Sequence, residues 1–270
     1  MTARPEDLRR RLAGLDQIDE VVGALRAIAS GQSAAARSAL PAIEAHALTT
    51  RRALARLAAS QVTATATAPA GPGLLLVIGA SQGFAGAYPQ RVAAATLQGL
   101  APDTGLLVVG RRTVQALLDR GRRPLWSADL PGHPAAIPAL ASEVTAALLA
   151  QAVEHPGPIH AIAGLPGAGH APTVVRLFPP EPVAPAQGME PPLMTLAPAV
   201  LMTSLLQEAL FAAVARALMR GLEAEAAARM QAMAQARSNL QRRRNEVEAA
   251  YRQARQEQMT TEMIELASGR

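Results

Sequence analysis

Residues 199–267 read AVLMTSLLQEALFAAVARALMRGLEAEAAARMQAMAQARSNLQRRRNEVEAAYRQARQEQMTTEMIELA, with no proline and a single glycine, Gly221. Ala, Leu, Met, Glu, Gln and Arg dominate, and these are the strongest helix formers. One helix of this length would run on the order of 100 Å at about 1.5 Å per residue. A compact body made from a 270-residue chain is much narrower. The helix must therefore project, and its apolar stripe must find a partner. That stripe is Leu210, Val214, Leu218 and Leu222, then Met230, Met233, Leu240, Val247, Tyr251 and Ala254.

The partner lies at the other end of the chain. Pro5 suits a first helical turn, where a missing N–H costs little, and Glu6 and Asp7 suit its positive end. Leu8, Leu12, Leu15, Ile18, Val22, Leu25 and Ile28 follow at spacings of 4, 3, 3, 4, 3 and 3, a sustained seam of the coiled-coil kind. Helix is expected over residues 5–60, with a kink or break at Pro41. Residues 61–72, rich in Thr, Ala and Pro, make a linker, and 179–198, with seven prolines, make an irregular connection. Between them short apolar runs alternate with helical stretches. Residues 74–79, 105–109, 159–163 and 173–178 are expected as strands, and 85–99, 111–120 and 136–154 as helices. That alternation implies a mostly parallel sheet. The expected fold is α/β. A small Rossmann-like α/β domain, residues 68–197, is inserted between two long terminal helices, 1–60 and 198–270. The two helices form an antiparallel coiled coil.

Composition narrows the chemistry. The chain has no cysteine and no lysine, so all 26 basic residues are arginine, and the net charge is +5. Disulfides, thiolate metal sites, a cysteine nucleophile, a P-loop lysine and a Schiff base are excluded. Aromatic residues make up only 2%. An alanine-rich chain fills a broad core poorly but suits helices that approach closely. Apolar runs such as 73–80 and 104–110 fall far short of the roughly 20 residues that span a bilayer. The first residues show no apolar signal-peptide core, so a cytoplasmic location is expected.

The loudest local motif is Leu74-Leu-Leu-Val-Ile-Gly79-Ala-Ser-Gln-Gly83-Phe-Ala-Gly86, a strand, a glycine-rich turn and a helix start. It resembles the phosphate-cradling turn of dinucleotide-binding reductases, with Arg111 and Arg112 as partners for a 2′-phosphate. The glycine spacing is one residue off that pattern, and the Tyr-x-x-x-Lys pair is impossible without lysine. The plainer reading is a tight strand-to-helix turn. His46, His133, His155, His160 and His170 show no metal-ligand spacing. Asp103, Asp119, Asp129 and Glu143 are scattered, so no general acid–base pair stands out. Arginines cluster at 9–11, 51–52 and 242–244, joined by Arg252 and Arg255. Three readings stay open for them. They are a nucleic-acid surface, a solvated helix face with pairs such as Glu225/Arg229, or a rod docked on an acidic protein.

The two ends carry a resemblance. Glu225-Ala-Ala-Ala-Arg229-Met230-Gln-Ala-Met233-Ala-Gln-Ala236-Arg-Ser-Asn239 is similar to the S-E-x-A-A-R-M-x-A-M-x-x-A-x-x-N stretch of the γ subunit of F-type ATP synthases. Tyr251-Arg-Gln-Ala254-Arg255-Gln256-Glu-Gln-Met259-Thr260-Thr-Glu262-Met-Ile-Glu265 resembles that family's Y-N-x-A-R-Q-x-x-I-T-x-E-I-x-E. The turn at 81–88 resembles S-D-R-G-L-C-G-A-Y, and Ala24-Leu-Arg-Ala-Ile-Ala29 resembles A-M-x-M-V-A of the first helix.

The resemblance implies a noncatalytic central stalk. The terminal helices would form a shaft inside a ring of α and β subunits. The α/β body would form a foot near the ε subunit and the membrane rotor (c) ring. The expected place is the cytoplasmic face of a bacterial inner membrane, with ion-driven rotation coupled to ATP synthesis or hydrolysis. No cofactor, metal, nucleic acid or small-molecule substrate is expected. By resemblance, Arg255 and Gln256 contact a β-subunit loop, Thr260 and Glu262 are their polar neighbours, and Glu225 and Arg229 lie lower on the shaft. Gln82, Gly83 and Leu25 complete the expected partner contacts. Gln82 and Ser81 depart from the family's Arg and Asp, Ala85 from its Cys and Arg252 from its Asn. Such changes fit a divergent branch, of the kind an alternate bacterial ATPase would represent. An NAD(P)-binding reductase-like protein and a helical nucleic-acid-binding rod are the alternatives from other classes.

Overall fold

The computed structural model describes residues 4–60, 71–98, 100–101, 103–164, 172–181 and 193–269. Two helices carry the ends, α1 (Pro5–Ser60) and α5 (Pro198–Ala267). Between them lie β1 (Leu74–Ile78), α2 (Tyr88–Gln98), β2 (Gly105–Val109), α3 (Arg111–Leu118), β3 (Trp126–Ala128), α4 (Ile137–Gln151), β4 (Ile159–Ala163) and β5 (Thr173–Phe178). The strands form one sheet in the order β3-β2-β1-β4-β5. β1 runs parallel to β2 and β4, β3 parallel to β2, and β5 antiparallel to β4. Four strands were expected; β3 was not, because three residues are too few to show a period. The expected linkers lie largely outside the described residues.

β1 is buried along its whole length. Helices cover both faces of the sheet, so its strand reads as an unbroken apolar run rather than an alternation. Successive side chains still point to opposite sides. Leu74, Leu76 and Ile78 join Leu107 and Val109 in packing on Ile137, Val144 and Leu148 of α4, and on Leu210, Val214 and Leu218 of α5. Leu75 and Val77 join Leu106 and Val108 in packing on Val92 of α2 and on Ala116 and Leu117 of α3.

Gly221, the one glycine of α5, has a local reason. A Cβ there would sit 2.2 Å from Ile78 Cγ2, so the helix rides directly on the central strand. One 18-residue window of α5 has a mean hydropathy of 1.5, long and apolar enough to cross a membrane by length and composition. Run lengths alone did not reveal it. Leu210, Val214 and Leu218 of this helix cover the sheet, and 22% of that window is buried inside the protein.

The chain forms two compact units, Met1–Ala29 with Met230–Arg270, and Ser30–Arg229. Within the second, α1 and α5 run antiparallel. Gln32 meets Arg229 at 2.7 Å, Arg37 meets Glu223 at 2.6 Å and Glu44 meets Arg220 at 3.2 Å, so numbers rise on one helix as they fall on the other. Within the first, Asp16 pairs with Arg244 at 3.6 Å and Asp19 with Arg237 at 3.3 Å, in the same sense. Those pairs in which both partners are exposed, Asp16/Arg244, Asp19/Arg237 and Glu44/Arg220, are each worth only about 0.2–1 kcal/mol, so they report register more than they stabilise.

α1 continues through Pro41 as one helix, so of the expected kink or break the break does not occur. Pro41 is exposed, so the carbonyl it leaves unpaired can meet water. The seam on α1 also drifts. Leu8 and Val22 are buried, but Ile18 and Ile28 are 51% and 56% exposed. Further along, Ala29, Ser33 and Ala36 carry the buried side. Small residues, not the large aliphatics of the heptad reading, face inward there.

Candidate functional site

The turn after β1 runs from Gly79 to Gly86 and leads into α2. Phe84 and Gly86 both adopt left-handed conformations, with φ of 63° and 58°, which lets the chain double back within a few residues. The turn is tied down from several sides. Ala80 N–H donates to Thr113 Oγ1 of α3 at 3.0 Å. Ser81 Oγ accepts from Leu130 N–H at 2.6 Å. Arg111 Nε donates to the Ser81 carbonyl at 3.1 Å, and its Nη1 lies 3.6 Å from Asp129 Oδ2. Arg111 is thus engaged with the turn itself.

The main-chain N–H groups of Ser81 and Gln82 have an unexpected acceptor. Both donate to Glu225 Oε1 of α5, at 3.2 and 2.7 Å. Arg229 Nη2 reaches the same oxygen at 3.3 Å, and Arg229 Nη1 donates to Gln32 Oε1 of α1 at 2.7 Å. Paired main-chain N–H groups at a strand-to-helix turn are the feature that cradles phosphates in nucleotide-binding folds. Here the chain's own carboxylate fills the place. A pyrophosphate would have to displace a buried, triply bonded anion, so the dinucleotide reading loses its cradle.

Glu225 and Arg229 are 2% and 4% exposed. The sequence alone allowed a solvated intrahelical pair worth a few tenths of a kcal/mol. Burial changes the scale, because removing one partner of a buried pair leaves an uncompensated charge, at a cost of about 3–5 kcal/mol. Burial pushes the Glu225 carboxyl above its ordinary value, while the Gln82 amide, the Arg229 charge and the Ser81 amide pull it back. Burial also pushes the Tyr88 phenol upward, and the nearby Glu225 charge adds to that. The Tyr88 ring fills the space that a side chain on Gly164, just beyond β4, would need.

Sequence reasoning brought Glu225 and Arg229 together but not Ser81, Gln82 and Gln32. The turn lies more than 140 residues from Glu225. One signal was available: Glu225 follows Leu218 and Leu222 at spacings of 4 and 3, so it falls on the buried stripe. An acidic residue there needs a partner.

The other expected contacts sit elsewhere. Gln82 and Gly83 are half-buried and line a pocket of ≈ 270 Å³ with Phe84 and Arg112. Leu25 is half-buried on α1. Arg255, Gln256, Thr260 and Glu262 are exposed on the last part of α5, in the unit Met230–Arg270. Thr260 Oγ1 donates to the Gln256 carbonyl at 2.9 Å, and Gln258 Nε2 to Glu262 Oε1 at 2.8 Å. The Arg255 and Gln256 side chains have no hydrogen-bond or ion-pair partner among the described residues. Met259, Met263, Ile264 and Leu266 beside them are also exposed.

Among the described residues no cluster of His, Asp and Glu side chains could hold a metal. His46 contacts Glu208 at 2.7 Å, and His170 lies outside the described residues. Several arginines of the basic clusters are paired with carboxylates, Arg10 with Asp7, Arg243 with Glu246 and Arg244 with Glu248, as a solvated face would have them.

A family model described as ATP synthase matches residues 4–270. ATP synthase gamma chains of Campylobacter fetus subsp. fetus (strain 82-40) and Campylobacter concisus (strain 13826) are 53% and 51% identical to this chain over 53 residues. That stretch spans 20% of this chain and 18% of each relative. A chain from the central stalk/c-ring structure of Tetrahymena thermophila mitochondrial ATP synthase shares the fold, with a TM-score of 0.56 and 18% identity. The match covers 80% of this chain and 99% of that one. A chain from the Euglena gracilis mitochondrial ATP synthase structure of OSCP, F1 and c-ring aligns with a TM-score of 0.61 and 12% identity. It covers 98% of this chain and 92% of that one.

Proposed function

Because the chain belongs to the ATP synthase γ family, we propose that it is the central-stalk subunit of a rotary F-type ATPase. It turns inside a ring of α and β subunits and couples ion-driven rotation to ATP synthesis or hydrolysis. The pairing of the two chain ends carries this reading. Within each compact unit, residues of α1 meet residues of α5 in antiparallel order, as a pair of helices packed along their lengths rather than around a cleft. The one turn that resembles a ligand cradle is filled by Glu225.

The subunit does no bond chemistry of its own. It needs no cofactor or metal, takes no small-molecule substrate and binds no nucleic acid. Its partners are the α and β subunits, the ε subunit and the membrane rotor (c) ring, at the cytoplasmic face of a bacterial inner membrane. The unpartnered Arg255 and Gln256 side chains serve as β-subunit contacts, with Thr260 and Glu262 beside them, and Leu25 lies on the same shaft. Gln82 and Gly83 form a second contact, weakened by the absence of an arginine at position 82.

Native mass spectrometry of the chain purified from its host tests the assignment. A complex holding three copies each of two larger subunits and one copy of this chain is expected, and a lone monomer or homodimer would count against it. Changing Arg255→Ala and Gln256→Ala together should weaken ATP-driven ion pumping while leaving the isolated fold intact. Unchanged pumping would remove these two residues from the contact.

A further inference from the structure

We propose that Glu225 is the positioning residue that makes the sheet domain and the stretches of α1 and α5 packed with it, within residues 30–229, turn as one body. It does so by filling an oxyanion cradle built from the Ser81 and Gln82 main-chain N–H groups and Arg229. The proposal rests on the stalk reading and adds a transmission element to it.

A torsional load between the sheet and α5 can pass through apolar packing or through directional bonds. Apolar packing is non-directional. The residues of α5 in the sheet core, Leu210, Val214, Ala215, Leu218, Met219 and Leu222, are all apolar.

Directional bonds are few. Among the described residues, the two hydrogen bonds from Ser81 and Gln82 to Glu225 are the only ones joining α5 to residues 71–181. All three donors of the cradle converge on a single oxygen, Glu225 Oε1. Arg229 then extends the clasp to Gln32, so α1 is held by the same group. The clasp is buried, where hydrogen bonds are stronger and less easily exchanged for water. The turn that supplies the two amides is itself fixed to α3 through Thr113, and to the segment after β3 through Leu130. The directional bonds between the sheet domain and the two helices therefore converge on one carboxylate.

The test uses the assembled ATPase in vesicles and reads ions pumped per ATP hydrolysed. Glu225→Ala should keep hydrolysis but lower that ratio severalfold. Formate, a small carboxylate that fits the vacated cradle, should restore the ratio in Glu225→Ala and leave the wild type unaffected, and chloride at equal ionic strength should do neither. An unchanged ratio overturns the proposal. So does a parallel fall in hydrolysis and pumping that formate does not repair, since that marks a packing role only. Should Glu225→Ala fail to assemble, Glu225→Asp carries the comparison. It keeps the charge on Arg229 but draws the oxygen back from the Ser81 and Gln82 amides, so the ratio should again fall, and a wild-type ratio overturns the proposal. If the wild-type chain itself joins no catalytic ring, the stalk reading fails instead.

Discussion

Replacing Gly221 by alanine should destabilise the sheet domain even though it improves the helix. Helix propensity favours alanine over glycine by about 1 kcal/mol in a helix interior. Against that stands the space available. The new Cβ would lie 2.2 Å from Ile78 Cγ2 and 3.3 Å from Ile78 Cβ. Comfortable carbon–carbon contacts are about 3.5–4.0 Å, so either the helix or the strand must give by more than about 1 Å. Ile78 cannot swing aside easily. It is fully buried on the central strand, and its β-branch restricts χ1. Overpacking of a tight core costs about 1–3 kcal/mol, and this contact belongs at the upper end. The expected net loss is about 2 kcal/mol, the difference between that upper value and the propensity gain.

Urea unfolding followed by tryptophan fluorescence reads this directly, because Trp126 is the only tryptophan and lies on β3. Ile78→Ala removes Cγ2 and on its own costs about 2–5 kcal/mol. In the Gly221→Ala background it should cost about 1–2 kcal/mol less, since the two sites couple through the same volume. Ile78→Val keeps Cγ2 and should give no relief. A Gly221→Ala chain more stable than wild type by the propensity difference would refute the close approach of α5 to β1. An Ile78→Ala cost that is identical in both backgrounds would refute it equally.

Arg229→Ala should lower stability by about 3–5 kcal/mol in the same urea assay, because it strands the buried Glu225 charge, and a loss under 1 kcal/mol would show that the pair is solvated. The raised folded-state value of Glu225 sets the sign of a pH effect. Between the ordinary value of 4.5 and the raised one, the folded chain binds more protons than the unfolded chain. Its contribution is therefore fully present below the ordinary value and is lost as pH rises through the folded value. The stability of wild type relative to Glu225→Gln should fall across that acid window and level off above it, and parallel curves would contradict the assignment. Titration with NADPH should show no saturable binding below about 100 μM, a range ordinary for a preformed cofactor site, and binding in that range would reopen the reductase reading. Arg255→Ala with Gln256→Ala should leave the urea midpoint within the scatter of ordinary surface changes, about 0.5 kcal/mol.

The helices were legible because composition and period agree over many residues. α5 needed only the absence of proline and the recurrence of Leu210, Val214, Leu218 and Leu222. The strands were legible where a run was five residues or more and apolar throughout, as in Leu74–Ile78. β3 was not, because a half-buried edge strand of three residues carries no pattern. The exposure of Ile18 and Ile28 could not be read from α1 alone, since a seam is defined by the partner helix as much as by spacing. Among the expected contacts, Glu225 and Arg229 were singled out by resemblance, and the buried stripe on which they fall was a further signal that an ion pair there needs partners. Their partners Ser81 and Gln82 contribute main-chain groups, which any residue type supplies, so no side-chain pattern could point to them. Arg255 and Gln256 were also singled out by resemblance; both are exposed, and their side chains have no partner among the described residues.

One unit of this molecule is assembled from the two ends of the chain, residues 1–29 and 230–270. That arrangement imposes an order on its making. The first segment leaves the ribosome roughly 200 residues before its partner, a wait of about 10–40 s at ordinary synthesis rates of about 5–20 residues per second. During that time Leu8, Val22 and Ala29 have nothing to be buried against. The sheet residues are completed first, and once they fold, the loop that Asp16 and Arg244 must close is already largely structured, which lowers its entropic cost. The nascent chain therefore carries an uncovered amphipathic helix until residues 230–270 have been made, and that interval is when it is most exposed to chaperones, proteases and other nascent copies of itself.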